Sequence, residues 1–568
     1  ECDWSSDVCS SDLEVKASPF ATHEVRNQAR PATGFNAFED DRALSGLIAK
    51  LAPWARDKLS ALGAHAGSEA AQEAARLANE HEPKLVTHDR YGNRDDWVEF
   101  HPAWHQLMAL AFQSEVHSLA WSTREPHGHL ARAALSYLWN QIENGVGCPT
   151  GMAYAAIAGF AGKPQFALWR ERTLTADYDP RRLPIEAKRA AVIGYAMTEK
   201  QGGSDLRETQ TTARFVERGA HGEIYAITGH KWFFSVPVAD GFYTLARTRS
   251  GVSCLFVPRL LPDGSANRIH IQRLKDKCGN RSNASSEIEY HDTWSILVGE
   301  EGRGIAEILS HAHLTRLDFA VGSAGLMRQA LSLAINHAQT RTAFARPMSE
   351  LPMQRNVLAD LALESEAAML GAFRVARATD GLQASEHERL LARVATPVMK
   401  FWNCQRAPAF TYECLQVHGG NGFIMENAMA RLYREAPLNS IWEGTSNMMC
   451  MDVLRAMQRD AKCRDAFIDE LRGSRGLNPI YDRSTDDLAD RLQARYPDDG
   501  HARALVTRMA HALQAAEMLR HSDATAADLF VQSRFGADAT HVFGALPSSE
   551  GLSHIVERAS VIRHQGPK

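Results

Sequence analysis

The hydrophobic pattern of this chain changes period twice, and that change constrains its fold more than any other feature. From about residue 44 to 188 apolar residues recur at spacings of three and four. Ala-rich stretches such as 68–79 and 129–143 carry this pattern with Pro and Gly between them, which predicts helices. Over residues 190–298 the runs become short, alternating or β-branched, as in Glu223-Ile-Tyr-Ala-Ile-Thr228 and Ser253-Cys-Leu-Phe-Val257. Gly202-Gly203, Pro262-Asp-Gly264 and Glu300-Glu-Gly302 punctuate them as turns, so this stretch predicts strands. Helical spacing returns at Gly304, holds to about Arg459, and continues from Cys463 across a Gly- and Pro-rich loop at 473–479. The order α, β, α, extra α predicts an α+β protein. Its expected domains are a helical one (14–189), a β domain (190–303), a helical bundle (304–462) and a last helical domain (463–568).

A chain of 568 residues exceeds a single hydrophobic core, in line with several domains. Apolar residues at 44% and charged residues at 23% suit a soluble globular protein, and no apolar run nears the roughly 18 residues of a membrane helix. A net charge of −5 gives no global attraction to nucleic acid or an anionic membrane, so either partner would need a local patch. Nine cysteines without a C-x-x-C pair, and no secretory signal, point to reduced thiols in a cytoplasm. Residues 1–13 (ECDWSSDVCSSDL) lack a Met and repeat S-S-D. They resemble translated non-coding or vector sequence more than a basic, apolar targeting peptide, and are expected to be poorly packed.

The common nucleotide and metal signatures fail. No G-x-G-x-x-G or G-x-x-x-x-G-K-[ST] occurs, and His101/His105 and His311/His313 lack partners at ligand spacing, so no metal is expected. Three other segments are informative. In Ala196-Met-Thr-Glu-Lys-Gln-Gly-Gly-Ser-Asp205, Thr198 and Ser204 flank a Gly-Gly turn. That places hydroxyls and free N–H groups on one side of a loop, as a flavin's edge requires, although an ordinary turn between strands has the same composition. In Gly229-His-Lys-Trp-Phe-Phe-Ser235, the aromatics can wall a planar ring or fill a sheet core. In Gln416-Val-His-Gly-Gly-Asn-Gly-Phe423, glycines permit close approach to a pyrophosphate. Some twenty residues later, Ser440-Ile-Trp-Glu-Gly-Thr-Ser-Asn447 sets a carboxylate beside an aromatic ring. Partial desolvation there would raise its pKa toward that of a general base; a lone Glu is more often a solvated surface group.

Together, in this order and at these intervals, the segments resemble the acyl-CoA dehydrogenase superfamily from about residue 45 to 460. Glu208 departs from the small residue expected at its position in the first signature, whereas the second matches throughout 416–435. M-T-E-K-Q-G-G-S-D, G-H-K-W-F-F-S-V-P, L-K-D-K-C-G-N-R-S-N-A-S (274–285) and N-S-I-W-E-G-T-S-N narrow the resemblance to the alkylation-response branch. That branch carries an added C-terminal helical domain implicated in binding double-stranded DNA.

The resemblance implies a helical domain, a β-barrel-like middle domain and a four-helix bundle, with bound FAD. Met197, Thr198 and Ser204 would line the flavin edge, flanked by Phe233, Phe234 and Ser235. Arg341, Phe344, Gln416 and Gly420 would reach the pyrophosphate and adenine end of FAD held mainly by a neighbouring subunit, and Thr445 and Asn447 would close on the cofactor. Such sharing implies a homotetramer. Glu443 takes the place of the base that removes the α-proton of an acyl thioester while flavin N5 accepts hydride. Some relatives keep that base on an earlier helix, where this chain has Thr315, with Arg316 beside it as a structural residue. Trp442 replaces a common Tyr and, with Phe233 and Phe234, would narrow the pocket to a short or branched acyl-CoA.

The branch implies weak dehydrogenase activity together with DNA docking that protects against alkylation damage. The alternative is a working short- or branched-chain dehydrogenase whose last domain serves oligomerisation. From Cys463 onward, twelve Arg and one Lys face eleven Asp and four Glu, a formal balance of −2, where phosphate binding normally shows a basic excess. A basic face from Arg491, Arg495, Arg503 and Arg508 would rescue the DNA reading, with Arg455 offering a cation near the mouth of the flavin pocket.

Overall fold

The structure is a computed structural model that describes residues 20, 22–494, 499–537, 539–540 and 542–561. Residues 1–13 and Arg495 lie outside the described residues. The chain begins with helices α1 (Arg42–Leu51), α2 (Arg56–Ala66) and α3 (Glu69–Glu80). A hairpin β1–β2 (Lys84–His88, Arg94–Glu99) follows, then α4 (Pro102–Gln113), α5 (Leu119–Ser122), α6 (Gly128–Trp139), α7 (Gly147–Phe160) and α8 (Ala167–Leu174). Ser68 caps α3 by accepting a hydrogen bond from the Ala71 N–H, which is why that helix starts where the Ala-rich pattern does. The hairpin departs from the helical expectation for this stretch. Its strands are five and six residues long and only half-buried, so neither presents a clear alternating pattern.

Seven strands make the middle sheet: β3 (Ile193–Ala196), β4 (Thr212–Gly219), β5 (Gly222–Ser235), β6 (Gly241–Thr248), β7 (Gly251–Pro258), β8 (Ile269–Leu274) and β9 (Ser285–Val298). The order β3-β6-β4-β5-β9-β7 has β8 paired to β9 and a further β6–β7 pairing, so the sheet curls into a barrel-like form. Its antiparallel register places Ser235 against Ser285.

Three long helices follow: α9 (Gly304–Thr340), α10 (Pro352–Asp380) and α11 (Glu386–Val417). With α12 (Ala428–Glu435) and α13 (Ser446–Arg459) they build the bundle, and α11 runs through two prolines, Pro397 and Pro408. The last helices are α14 (Ala461–Arg472), α15 (Pro479–Gln493), α16 (Ala502–His521), α17 (Ala524–Phe535) and α18 (Leu552–Ala559). They pack on α10 and α11 and join one continuous apolar core. The α+β class expected from the sequence, with its extra C-terminal helices, is the one found. Among the described residues, no helix is long and apolar enough to cross a membrane.

Candidate functional site

Glu443 sits in the loop that feeds α13, with a left-handed φ of +53°, and Gly444 follows at +102°. An L-residue in that region costs on the order of 1 kcal/mol and persists only where the surroundings fix it. Here two cations do so. Arg316 of α9 donates from Nε to the Glu443 carbonyl at 3.2 Å and from Nη1 to Asp452 at 2.8 Å. Lys400 of α11, fully buried, donates from Nζ to the carbonyls of Trp442 at 3.0 Å and Gly444, on either side of Glu443. Trp442 stacks on Phe319 with centroids 4.7 Å apart and donates to Asn439 at 3.0 Å. Burial raises the Glu443 carboxyl above its ordinary pKa although Arg316 and Lys400 pull the other way. Burial in turn pushes the Lys400 ammonium down to about 8. Thr315 is buried and its hydroxyl donates to the Ala312 carbonyl at 2.9 Å, so the alternative base position holds no acid–base group.

The 196–205 loop meets β5 where the Trp232 N–H donates to the Thr198 carbonyl at 2.8 Å. A Cβ on Gly203 would stand 2.4 Å from Thr198 Oγ1, so only glycine lets the loop fold over that hydroxyl. Met197 and Thr198 are half-buried and Ser204 is exposed. Glu199, which the sequence reading passed over, anchors the loop through a buried ion pair with Lys231 at 2.7 Å. Burial alone would raise Glu199, but Lys231 and the Gln210 and Thr211 contacts outweigh it and hold the carboxyl at about 2.

Strand alternation separates the three aromatics of β5. Phe233 is 48% exposed, whereas Phe234 is 1% exposed and packs on Phe242 with centroids 4.1 Å apart. Phe234 is therefore a barrel-core residue, correcting the expectation that it flanks the same ring as Phe233. Ser235 is half-buried beside the buried Cys148 thiol, to which Asn283, Lys277 and Glu443 are also neighbours. Lys277 donates to the Asn283 carbonyl and to Ser285 Oγ, and burial pushes it down to about 8. A cavity of about 330 Å³ opens here, lined by Lys275, Lys277, Arg281, Asn283 and Ser285. Cys148 and Lys400 carry no local motif in the sequence, and only the fold brings them to Glu443; Lys277 and Asn283 lie within the 274–285 motif, which did not single them out as site residues.

Three profiles match along the chain. Residues 27–180 match the adaptive response protein AidB N-terminal domain, 194–293 the acyl-CoA dehydrogenase middle domain, and 302–458 the acyl-CoA dehydrogenase C-terminal domain. AidB of Escherichia coli (strain K12) is 41% identical over 516 residues, 90% of this chain and 94% of that one. The chain belongs to the acyl-CoA dehydrogenase family. Among solved structures, Caenorhabditis elegans ACDH-11 in complex with C11-CoA superposes with a TM-score of 0.81. It is 25% identical and covers 91% of this chain and 94% of that one. The apo-form of Bd2924 gives 0.79 at 26% identity, over 87% and 99%.

Within this acyl-CoA dehydrogenase fold the remaining candidate residues divide by position. Thr445 and Asn447 are exposed at the start of α13, on the rim of the Glu443 loop. Arg341, Phe344, Gln416 and Gly420 stand at the other end of the bundle. Helix α9 rises about 1.5 Å per residue, so Arg341 lies some 38 Å from Arg316 and cannot serve the same flavin edge. There Phe344 is 88% exposed on a tight hairpin, Gln416 bonds Glu413, and Gly420 is open to solvent, beside the exposed Phe423, Ile424 and Met425.

Among the described residues of the extra helices, the arginines anticipated as a basic face have partners of their own. Arg491 and Arg508 both pair with Asp487, at 2.7 and 3.3 Å. Arg503 donates to Asn447 at 3.1 Å and lies over the Phe401 ring. Arg455 is exposed, with Asp205 of the 196–205 loop as an electrostatic neighbour.

Proposed function

We propose that this chain is an FAD-dependent oxidoreductase that dehydrogenates an acyl thioester, with Glu443 taking the α-proton. The observation that carries this reading is the Glu443 carboxyl. It is raised toward the operating range of a general base on a loop pinned from both sides by Arg316 and Lys400. Bound FAD supplies the hydride acceptor for the β-carbon. The residues present fit it: Phe233 and Ser204 are exposed, and Thr198 and Ser235 are half-open. The buried Asn283 carboxamide, near Ser235, lacks a hydrogen-bond partner of good geometry for either polar atom.

Arg316 and Lys400 then have a second task. By holding the loop carbonyls they keep the carboxyl directed at one point while the substrate's thioester is bound. With Phe234 in the core, only Phe233 and Trp442 remain to narrow the acyl pocket, so a short or branched chain is one substrate class and a longer one, as in the C11-CoA complex of ACDH-11, is another. Arg341, Phe344, Gln416 and Gly420 complete the FAD site of a neighbouring subunit in a homotetramer, which the exposed apolar far end supports. The free thiols among the described residues suit a cytoplasm.

Rapid mixing of the FAD-loaded chain with butyryl-CoA or an eleven-carbon acyl-CoA should bleach the flavin, and Glu443→Gln should abolish the bleaching. Bleaching that survives in Glu443→Gln would remove Glu443 from the reaction.

Docking on double-stranded DNA, with protection against alkylation damage and only residual dehydrogenase activity, is the second reading. Its support is the match to the adaptive response protein profile and the exposed Arg455.

A further inference from the structure

The end of α9 carries a hairpin whose turn residues oppose its shape. Thr342 pairs with Pro347 and Ala343 with Arg346, so Phe344 and Ala345 form a two-residue turn, with φ of +52° and +62°. Asn-Gly adopts that conformation readily, whereas a Cβ at either position opposes it. The Phe344 ring is 88% exposed, so packing within the chain does not offset the strain. A turn of this kind persists only where its surroundings fix it, and such turns gather at ligand sites.

Residues 27–30 supply the fixing contacts. The Met348 N–H donates to the Arg341 carbonyl at 3.0 Å, which leaves Thr342 and Pro347 as a pair that exchanges no hydrogen bonds. The Thr342 N–H and C=O therefore point away from the hairpin, and the Asn27 carboxamide takes both. Its Nδ2 donates to the Thr342 carbonyl at 2.9 Å, and its Oδ1 accepts from the Thr342 N–H at 2.8 Å and from Oγ1 at 2.9 Å. Asn27 is itself left-handed at φ +54°, which asparagine tolerates, and its carbonyl accepts from Arg341 Nη1 at 2.7 Å. Three residues on, the Arg30 carbonyl accepts at 2.8 Å from Nδ2 of Asn336, buried on the last turn of α9. His337 beside it packs on His418 with centroids 4.6 Å apart, and His418 lies between Gln416 and Gly420. One helix end thus carries the clamp, the hairpin and the 416–420 loop.

We propose that Asn27 is a positioning residue for FAD: by holding the strained hairpin it fixes the Arg341 guanidinium for the cofactor's diphosphate. The proposal rests on the reading of Arg341 and Phe344 as part of the FAD site of a neighbouring subunit. With Nη1 engaged by Asn27, Nε and Nη2 of Arg341 remain to donate to phosphate oxygens, and the open Phe344 ring offers a face to the adenine. A long side chain fixed before the ligand arrives does not lose its rotamer freedom on binding, so the clamp strengthens binding without touching the cofactor. Asn27 belongs to no signature and stands 315 positions from Thr342, so only the fold joins them.

The test measures FAD affinity, not turnover, by titrating the flavin-free full chain with FAD and following flavin fluorescence. Asn27→Gly keeps the left-handed backbone and removes the three side-chain bonds, whereas Arg341→Ala removes the guanidinium. Asn27→Gly should raise the Kd for FAD by about tenfold and Arg341→Ala by at least as much, with melting temperature and sedimentation coefficient unchanged. Because Asn27 acts through Arg341, the double variant should lose less than the product of the two single losses. Parent-like affinity in Asn27→Gly, beside a weakened Arg341→Ala, overturns the positioning role and leaves the Arg341 reading standing. Losses that multiply in the double variant overturn it as well, and so does an Asn27→Gly loss accompanied by a lower sedimentation coefficient or melting temperature. Parent-like affinity in Arg341→Ala overturns the reading of Arg341 as an FAD contact, and the role of Asn27 falls with it.

Discussion

The Glu443 loop and the C-terminal helices both rely on ion contacts between distant segments, yet they use charge in opposite ways. Around Glu443 the cations Arg316 and Lys400 bond backbone carbonyls and leave the carboxylate without a partner that would neutralise it. In the C-terminal helices nearly every buried charge is matched. Arg374 of α10 and Arg520 of α16 both hold Glu470 of α14, and Arg534 of α17 holds Asp360 and Glu364 of α10. A carboxylate desolvated without a directly bonded cation is costly to ionise, and such groups are concentrated at functional sites. A charge fully matched across two elements instead fixes how they dock.

The largest expected effect tests the first half of that contrast. Glu443→Gln keeps the side chain's size and hydrogen-bonding capacity but removes the base. The rate of flavin bleaching by acyl-CoA should fall by about 10³-fold or more, with thermal stability unchanged or slightly raised. The pH dependence carries the sign. Glu443 acts as a base only when ionised, and its pKa is raised by burial. The bleaching rate should therefore fall, as pH drops, at a pH above the ordinary carboxylate range. A rate limb at or below that ordinary range would show that the carboxyl is solvated in the working state. Gly444→Ala gives a graded version: φ of +102° and Met449 Cε at 2.6 Å from the added Cβ strain the loop, and bleaching should slow by about 10- to 100-fold.

This contrast also explains how much was readable beforehand. The period change located the strands, and the local motifs singled out Glu443, Thr198 and Ser204 as candidates, because turn chemistry and short signatures are local. Phe234 failed because a two-residue alternation sends neighbouring aromatics to opposite faces, and the sequence does not say which face is open. The β1–β2 hairpin failed because half-buried strands of five and six residues barely alternate. Lys400 was invisible beforehand. It sits in an ordinary helical pattern and meets the Glu443 loop only through the fold, at Trp442, about 40 positions away.

The second half of the contrast predicts a stability effect. Glu470→Gln leaves Arg374 and Arg520 without their shared carboxylate and should cost about 3–5 kcal/mol in urea unfolding, provided docking and global unfolding are coupled. Burial alone would raise Glu470, but the two arginines outweigh it and hold it at about 2. A carboxyl depressed in the folded state contributes stability that is complete above its unfolded pKa. The contribution should therefore fade as pH falls from about 4.5 toward 2, and the variant should lack that acid limb.

The smallest expected effect concerns the exposed arginines. Arg491 and Arg508 share Asp487 at the surface, and such pairs contribute little, so Arg508→Ala should leave the melting temperature unchanged within about a degree. Their value lies in separating the two readings of the extra helices. If these helices dock on DNA, Asp487 must release its arginines to phosphates. Binding to unrelated duplexes should then weaken steeply with salt, and Arg491→Ala with Arg508→Ala should reduce the salt slope by about two. If the helices only complete the bundle, the same double variant changes neither duplex binding nor its salt slope. Arg455→Ala sharpens the outcome. It removes an exposed cation beside Asp205 without touching the Asp487 cluster, so a loss of duplex affinity confined to that variant would place the nucleic acid at the mouth of the flavin site and leave the appended helices a purely structural role.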